Sequence, residues 1–439
     1  MMRRIFILGL VCLSLIGLAA MNALSQFEAS SKDDLYSKIE LFSYALTTIQ
    51  SEYVDEQKPK DLIYGSLRGM LASLDPHSQF LDPDEYKELK TETEGKFGGL
   101  GIEISIRDGL LTVISPIEDT PAWKAGIKPG DRIVKIEDEL TKDLTLSEAV
   151  KRLRGQPGTE VNITILRESD YKVHEFKITR EIIQIQDVKD TMILEDKIGY
   201  IRLTEFREDS HKEFRKALDK LKSAGANSMI LDLRNNPGGL LNIAINITEE
   251  FLAEGQTIVS TKGRRPSQDI VTKSKNRNHL IDWPMAILIN EGSASGSEIL
   301  AGALKDNKRA VIIGTKSFGK GSVQSVIPLP DSSGLRLTTN KYFTPSGASI
   351  HGTGIIPDIE VKRVLETADA KETTEKKIDE IFQNIKTQKT ETAEGLPVDK
   401  TEDEARQRLL SDNQIQTALN VLKGIRVYQY FQNEVTITP

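Results

Sequence analysis

Residues 285–304 read MAILINEGSASGSEILAGAL, an apolar run followed by a turn of small residues and then by a helical pattern. The same alternation continues on both sides of this stretch. Between Ile198 and about Val361, short apolar β runs alternate with helices that have one apolar face. Alternating strands and helices are typical of a layered α/β domain. We therefore predict an α/β core for residues 183–363.

The composition of the 439-residue chain fits a globular protein of several domains, because so long a chain exceeds what one core holds. Hydrophobic residues make up 38% and charged residues 28%, and the net charge of −7 is spread along the chain. The sequence has no basic stripe interleaved with aromatic residues, so we expect no nucleic-acid partner. Its one cysteine, Cys12, lies in an apolar N-terminal run, which excludes cysteine catalysis in the mature protein.

The N-terminus has the pattern of an export signal. Two arginines within Met1–Arg4 precede a charge-free, largely apolar run from Ile5 to Met21, and the small residues Ala23 and Ser25 follow. We predict that residues 1–25 are a signal peptide or a retained membrane anchor. In either case the rest of the protein is exported to the periplasm or the outer face of the cytoplasmic membrane of a bacterial envelope.

Helical patterns occur at both ends of the exported chain. Residues 26–95 are predicted as a helical arm. Its first helix carries one apolar stripe, which consists of Leu35, Ile39, Phe42, Leu46 and Ile49. Residues 364–439 are predicted as a charged linker and a last helix with the stripe Ile415, Leu419 and Leu422. Either stripe can pack on its own subunit or form a homodimer or higher oligomer, and the sequence leaves this choice open.

Residues 96–182 form a module of short β runs punctuated by glycine and proline. Gly98–Gly101 is a glycine-rich turn that leads directly into the alternating strand Ile102–Ile106. Backbone N–H groups of such a turn can converge on a carboxylate, while the strand edge pairs with an extended peptide. A helix opened by Thr145 and Glu148 adds apolar side chains. The predicted peptide-binding residues are Gly99, Leu100, Gly101, Ile102, Ile104, Leu146 and Val150.

Three motifs compete for the chemistry of the core. Gly314–Lys320 resembles a phosphate-binding loop, but Gly321 stands where such a loop needs Ser or Thr. Ser317 and Lys320 have the spacing of a Ser-x-x-Lys pair, which works only on one helical turn. Ser295 lies at the start of a predicted helix and can pair with Lys320. In that place it is either a helix cap, with Glu298 three residues on, or a nucleophile at the positive end of the helix.

The set of motifs resembles the carboxyl-terminal processing peptidases, the tail-specific serine peptidases of S41 type that carry a PDZ domain. The matching stretches are Gly69–Leu71, Leu74–Ser78, Asp232–Gly239, Ser293–Leu304, Phe318–Gln324 and Tyr342–Gly347, with residues 96–182 as the PDZ domain. The resemblance implies an α/β fold: a crotonase/Clp-protease-like layered core with an inserted β-rich PDZ domain and helical N- and C-terminal arms.

The resemblance also implies the catalytic roles. Ser295 matches the nucleophile, Lys320 the general base and Gln324 the residue that orients the lysine. Gly296 and one of Gly238 or Gly239 match the backbone donors of the oxyanion hole, although the family usually has alanine at the position of Gly296. A lysine acts as a base only when neutral, so burial has to lower its pKa from about 10.4 toward about 7–8. Neither a metal nor a cofactor is expected.

Together these features predict an exported serine endopeptidase that recognises the C-terminus of protein substrates through its PDZ domain. It would cleave them with a Ser-Lys dyad through an acyl-enzyme. The expected partners are proteins with apolar C-termini and an envelope adaptor protein. The alternative is a catalytically inactive PDZ scaffold of the cell envelope. Arg154, at the end of the module's helix, is predicted either to remain solvated or to couple peptide docking to the Lys320 region.

Overall fold

The computed structural model describes residues 34–107, 109–117, 119–142, 144–167, 172–277, 281–364, 391–392 and 402–435. The predicted signal segment and most of the charged linker lie outside these residues. Among the described residues, those up to Asp82 and Val326–Leu337 form one compact unit, and the remainder form a second. Within the described ranges, no helix combines the length and the apolar character that crossing a membrane requires.

The first unit contains two helices and a short strand. These are α1 (residues 34–52), α2 (Pro59–Ala72) and β1 (Gln79–Leu81). β1 pairs antiparallel with residues 334–336, and Tyr64 of α2 packs on Phe80 with ring centroids 4.7 Å apart. The predicted stripe of α1 faces solvent in this single chain: Leu35, Ile39 and Phe42 are 43–59% exposed.

The second unit begins with the β-rich module. Its elements are α3 (Pro83–Glu94), β2 (Lys96–Gly99), β3 (Ile102–Arg107), β4 (Leu110–Pro116), α4 (Pro121–Lys124), β5 (Arg132–Ile136), β6 (Glu139–Leu140), α5 (Leu146–Leu153), β7 (Glu160–Arg167), β8 (Lys172–Thr179) and β9 (Glu181–Gln184). β3 is an edge of the module's main sheet, and α5 begins with the predicted capping box of Thr145 and Glu148. β2 and β9 form a separate antiparallel pair, hereafter the ribbon, through which the chain enters and leaves the module.

The α/β core follows the module. Its elements are β10 (Val188–Ile193), β11 (Ile198–Leu203), α6 (Ser210–Ser223), β12 (Ser228–Asp232), α7 (Leu241–Glu249), β13 (Thr257–Gly263), a 3₁₀ turn (Pro266–Gln268), β14 (Ile270–Lys273), β15 (Met285–Ile289), α8 (Gly296–Asp306), β16 (Val311–Gly314), β17 (Ser322–Pro328), β18 (Gly334–Phe343), β19 (Ile359–Glu360), β20 (Glu391–Thr392), α9 (Glu402–Leu410) and α10 (Asn413–Val435). The two-residue β20 pairs with β8 of the module.

The core is a three-layer arrangement around a six-stranded sheet. The strand order is β10-β11-β12-β15-β16-β19, and every neighbouring pair from β11 onward is parallel. Alternate residues of each strand pack on α6, α7 and α8, while the residues between them pack on α9 and α10. Both faces are covered, which explains why the strands are almost continuously apolar. The predicted α/β core, inserted β-rich module and helical ends are confirmed.

The C-terminal stripe packs on its own subunit. Ile415, Leu419 and Leu422 are fully buried against the second face of the core sheet. They are therefore not available to another chain, and of the two predicted oligomerisation stripes this one is excluded. The physical reason is that the sheet has two apolar faces, whereas α6, α7 and α8 cover only one.

Candidate active site

The site is built where two adjacent parallel strands end. β12 pairs with β15 in register from Met229 with Met285 to Asp232 with Leu288. Parallel strands end at the same edge of a sheet, so the loop after β12 meets the loop after β15. Asn236 joins the two loops, because its carbonyl oxygen accepts from Ala294 N–H and from Ser297 Oγ, each at 3.0 Å.

A buried ion pair fixes the loop after β12. Arg234 forms a two-pronged contact with Asp232, with Nη2 donating to Oδ2 at 2.6 Å, and its other Nη donates to Asp412 at 2.8 Å. The hydroxyl of Tyr200 donates to Asp232 at 2.8 Å, and burial raises the pKa of Tyr200. The arginine thus connects the loop to the segment before α10.

Ser295 has a strained backbone at the start of α8. Its φ is 51° and its ψ is −108°, and a positive φ is costly for a residue with a side chain. It is 8% exposed. The predicted capping box is closed on one side only: Ser295 N–H donates to Glu298 Oε2 at 2.9 Å, while Ser295 Oγ makes no cap hydrogen bond to the helix. Its hydroxyl is therefore not used as a cap.

The two neighbouring serines have structural bonds instead. Ser293 Oγ donates to the carbonyl of Leu233 at 2.8 Å, and Ser297 Oγ donates to the carbonyl of Asn236. Both side chains are fully buried. The hydroxyl of Ser295 instead faces Tyr342. Burial raises the pKa of Tyr342 to about 12, and a hydrogen-bonding contact with Ser295 acts in the opposite direction. Tyr342 therefore stays neutral beside Ser295.

The three glycines predicted for the oxyanion hole lie around Ser295, but only two offer a free donor. A Cβ on Gly238 would lie 2.7 Å from the Cβ of Ser295, so this close approach requires glycine. Gly238 N–H already donates to Asn236 Oδ1 at 2.9 Å. In the described part of the chain, no acceptor binds the N–H of Gly239 or of Gly296. This geometry favours Gly239 over Gly238.

Glu298 links the turn of Ser295 to the segment of Lys320. Its carboxylate is fully buried and accepts four hydrogen bonds. Oε2 accepts from the N–H groups of Ser295 and Lys320 at 2.9 and 2.8 Å. Oε1 accepts from Ser317 Oγ at 2.6 Å and from Gly319 N–H at 2.7 Å. The sequence indicated only the cap role of Glu298, because its other partners come from a distant part of the chain.

Lys320 lies in the loop between β16 and β17. It is half-buried, and its neighbour Phe318 is 63% exposed. Gln324 on β17 donates from Nε2 to Ser322 Oγ at 2.9 Å, so its amide is held by that neighbour. The loop continues into a strand and contains no helical turn. A phosphate-binding loop leads into a helix, and a Ser-x-x-Lys pair needs both residues on one helical turn. Both alternative interpretations, the phosphate loop and the Ser317-x-x-Lys320 pair, are therefore wrong.

A groove of about 170 Å³ lies between the β3 edge and α5. It is lined by Phe97, Gly99, Leu100, Gly101, Ile102, Ile104, Val150, Leu153 and Arg154. Six of the seven predicted peptide-binding residues are in this set. Leu146, at the first position of α5, is not in this set and is 37% exposed, so its prediction as a groove residue is wrong. Phe97 and Leu153 were missed, because a strand residue before the turn and a core leucine carry no distinctive signal.

Arg154 contacts the ribbon and α3. Its guanidinium lies 4.5 Å from the ring centroid of Phe97, and Nη1 donates to Glu88 Oε1 at 3.3 Å. The side chain is about one-third exposed. Arg154 therefore lines the groove and is also held by Phe97 and Glu88. It is not the solvated residue that was one of the two predictions for it.

We expect Glu298→Gln to destabilise the fold, because the side-chain NH₂ cannot accept two of the four hydrogen bonds. Each buried donor left without an acceptor costs about 1–3 kcal/mol, so the free energy of unfolding should fall by at least about 2 kcal/mol in urea titrations. Glu148→Gln is the matched control, since Glu148 has the same place in the exposed capping box of α5. Equal losses in both variants would contradict the assignment of Glu298 as a buried link.

Comparison with known proteins gives the family. A model of peptidase family S41 matches residues 197–361, and a PDZ domain model matches residues 112–167. The carboxy-terminal-processing protease of Bartonella bacilliformis is 44% identical over 340 residues, covering 76% of this chain and 78% of that protein. The carboxyl-terminal-processing protease of Synechocystis sp. is 40% identical over 324 residues, covering 72% and 75%.

Among solved structures, the photosystem II D1 C-terminal processing protease is 29% identical with a TM-score of 0.45, covering 73% of this chain and 92% of that one. The family assignment depends on the sequence relatives and on the two domain models. The chain belongs to the carboxyl-terminal-processing serine proteases of peptidase family S41.

Proposed function

We propose that this protease cleaves peptide bonds with Ser295 as nucleophile and Lys320 as general base. The neutral amine of Lys320 takes the proton of Ser295 Oγ as that oxygen attacks the substrate carbonyl carbon. The N–H groups of Gly239 and Gly296 hold the negative oxygen of the tetrahedral intermediate. The lysine then gives its proton to the leaving amine. Water, deprotonated by the lysine, attacks the acyl-enzyme, and the lysine returns this proton to the departing Ser295 Oγ, which restores the free serine and the neutral amine.

The observation that carries this proposal is the strained turn of Ser295. A positive φ at a residue with a side chain persists only where the surroundings impose it, and such strain is concentrated at functional sites. The turn leaves the Ser295 hydroxyl free of cap bonds, next to the N–H groups of Gly239 and Gly296, which have no acceptor among the described residues. The N-terminus of α8 adds a partial positive charge where the intermediate becomes negative. Glu298 holds the backbone of Lys320 against the same turn.

We propose that the PDZ groove selects substrates by their free C-terminus. No strand of the described residues pairs with the outer edge of β3. This edge can therefore add an extended peptide as a further strand, and the glycine-rich turn can bind the terminal carboxylate. The apolar lining of the groove fits an apolar last side chain. The substrates proposed are therefore proteins with apolar C-termini, held in the groove while an upstream bond is cut.

The exposed stripe of α1 supports a homodimer or higher oligomer formed through the N-terminal arm, since a row of exposed apolar residues is stabilised by burial against a second copy. An envelope adaptor protein is also proposed as a partner, on the basis of the sequence alone.

Ser295→Ala, Lys320→Ala and the double variant should lose similar amounts of activity, because residues that act as one catalytic unit are not additive. The measurement is turnover of a peptide with an apolar C-terminus. Ser293→Ala and Ser297→Ala are the controls, with lowered stability but retained turnover. If one of these controls abolishes turnover while Ser295→Ala keeps it, the nucleophile is misassigned. Wild-type protein that folds and binds the peptide without cleaving it would favour the scaffold alternative.

Arg154 is proposed to couple peptide docking to catalysis by leaving Phe97 and Glu88 and bonding the catalytic core. Arg154→Ala should lower kcat by about 5- to 150-fold, the range of a typical coupling free energy. Because Arg154 also lines the groove, kcat is measured at saturating peptide, which separates this effect from weaker binding. Arg152→Ala is the control, since Arg152 pairs with Glu139 on the exposed side of the same helix. Equal kcat in wild type and Arg154→Ala would contradict the coupling role.

We propose that the chain is exported and that its mature form begins near Gln26, after the small residues Ala23 and Ser25. N-terminal sequencing of protein purified from an envelope fraction tests this. A sequence starting near Gln26 supports a cleaved signal, whereas Met1 or Met2 in the membrane fraction supports a retained anchor. Recovery from the cytoplasm alone would contradict export.

A further inference from the structure

Residues 204–209, hereafter the relay segment, join β11 to α6. They contact the glycine turn beside Ser295 on one side and the ribbon of the PDZ module on the other. None of the sequence motifs pointed to this segment. Its contacts come from three residues: Phe206, Arg207 and Asp209.

Phe206 holds the glycine turn by its backbone. Its N–H donates to the carbonyl of Gly238 at 2.9 Å, and its carbonyl accepts from Leu240 N–H at 2.7 Å. These bonds lie on both sides of Gly239, where a Cβ would come within 2.3 Å of the Phe206 oxygen. The Phe206 ring lies against Gly296, with 3.2 Å from its Cδ2 to a Cβ built there. Phe206 therefore contacts Gly239 and Gly296, the two glycines whose N–H groups lack an acceptor within the described ranges.

Arg207 holds the chain at the point where it enters the module. Its guanidinium forms ion pairs with Asp187 and Glu205, and its Nε donates to the carbonyl of Glu92 at 3.0 Å. Glu92 belongs to the last turn of α3, just before Gly95 and the ribbon. Burial raises the pKa of Asp187, and the positive charge of Arg207 acts against that rise. The arginine is thus tied to both sides of the ribbon, α3 before it and Asp187 after it.

Asp209 binds both strands of the ribbon. Its Oδ2 pairs with Lys96 Nζ of β2 at 2.9 Å and accepts from Gln184 Nε2 of β9 at 3.1 Å. Asp209 stands at the N-cap position of α6, but its side chain makes no cap bond to that helix. Its carboxylate is therefore used for the ribbon.

We propose that the relay segment transmits the position of the PDZ module to the oxyanion hole, with Arg207 and Asp209 as positioning residues. The inference rests on the proposed function of Ser295, Gly239 and Gly296. When a peptide docks and the module moves, the ribbon moves with it, since it carries both chain connections of the module. Arg207 and Asp209 pass this shift to Phe206, whose backbone bonds set the direction of the Gly239 N–H. Docking then aligns the donors for the oxyanion.

The test compares two peptides of identical sequence, one with a free C-terminal carboxylate and one with a C-terminal amide. Carboxylate capture makes the first peptide the docked one, so wild type should turn it over with a kcat at least about 5-fold higher. The ratio of the two kcat values, that of the carboxylate peptide over that of the amide peptide, should fall to about 1 in Arg207→Ala, because docking no longer aligns the oxyanion donors. A general loss of structure would instead lower kcat for both peptides and leave the ratio unchanged.

Two further readouts locate the effect. The affinity of the carboxylate peptide for the groove, measured by fluorescence anisotropy in a Ser295→Ala background, should not change with Arg207→Ala. The inhibition constant of a peptide aldehyde, whose adduct with Ser295 carries an oxyanion, should rise by about the same factor as kcat falls. Arg207→Lys should recover part of the ratio, since lysine keeps the charge but not the planar fork of donors.

Asp209→Ala is a second variant, and it keeps the buried ion pairs of Arg207. If Arg207→Ala does not fold, Asp209→Ala tests the relay in its place. Its ratio should lie between those of wild type and Arg207→Ala. Arg215→Ala and Asp219→Ala on α6 are the matched controls and should keep the wild-type ratio. A wild-type ratio retained in Arg207→Ala and Asp209→Ala overturns the relay alone. If the wild-type protein turns over both peptides with equal kcat, the relay and PDZ gating are overturned but Ser295 catalysis is not. If the wild-type protein turns over neither peptide, the proposed function is overturned together with the relay.

Discussion

The buried carboxylate of Glu298 is the interaction on which the site depends. A fully buried charge is tolerated only when hydrogen bonds replace its hydration, and here four donors do so. Two of them are the backbone N–H groups of Ser295 and Lys320, which share one oxygen. Glu298 also lies in the first turn of α8, where the helix dipole favours a negative charge. The carboxylate thus sets the separation of the two main-chain segments that carry the proposed nucleophile and base.

The strain at Ser295 is opposed by bonds that surround the turn on every side. Glu298 accepts from its N–H, the carbonyl of Asn236 accepts from Ala294 N–H and Ser297 Oγ, and Ser293 is bonded to the loop after β12. That loop is in turn fixed by the Asp232–Arg234 pair, which the segment before α10 covers. The hydrogen bonds to the sheet edge therefore offset the conformational cost of the positive φ at Ser295. This explains why a C-terminal helix distant from the catalytic motifs contributes to their geometry.

Local patterns allowed the fold class, the capping box of α5 and most of the residues that line the groove beside β3 to be predicted, because each depends on neighbours in sequence. Long-range partners were not predictable in the same way. Glu298 was read as a cap although three of its donors lie 19–22 residues away. The apolar stripe at Ile415, Leu419 and Leu422 was equally compatible with a dimer, since a stripe does not say which surface covers it. The relay segment has no motif, because it acts largely through backbone bonds and common charged residues.

Recognition of a chain terminus and cleavage upstream of it can favour the correct substrate in two separate ways. Coupling between docking and catalysis is worth about 1–3 kcal/mol, so by itself it favours docked chains over others by only about 5- to 150-fold. Tethering adds a second factor, because a substrate held by its C-terminus presents its upstream bonds at a local concentration in the millimolar range. The two factors multiply, since one acts on the rate of the chemical step and the other on occupancy of the site. If the N–H groups of Gly239 and Gly296 bind the oxyanion as proposed, a modest change in their alignment is then sufficient, and the ribbon of β2 and β9 needs to transmit only a small displacement.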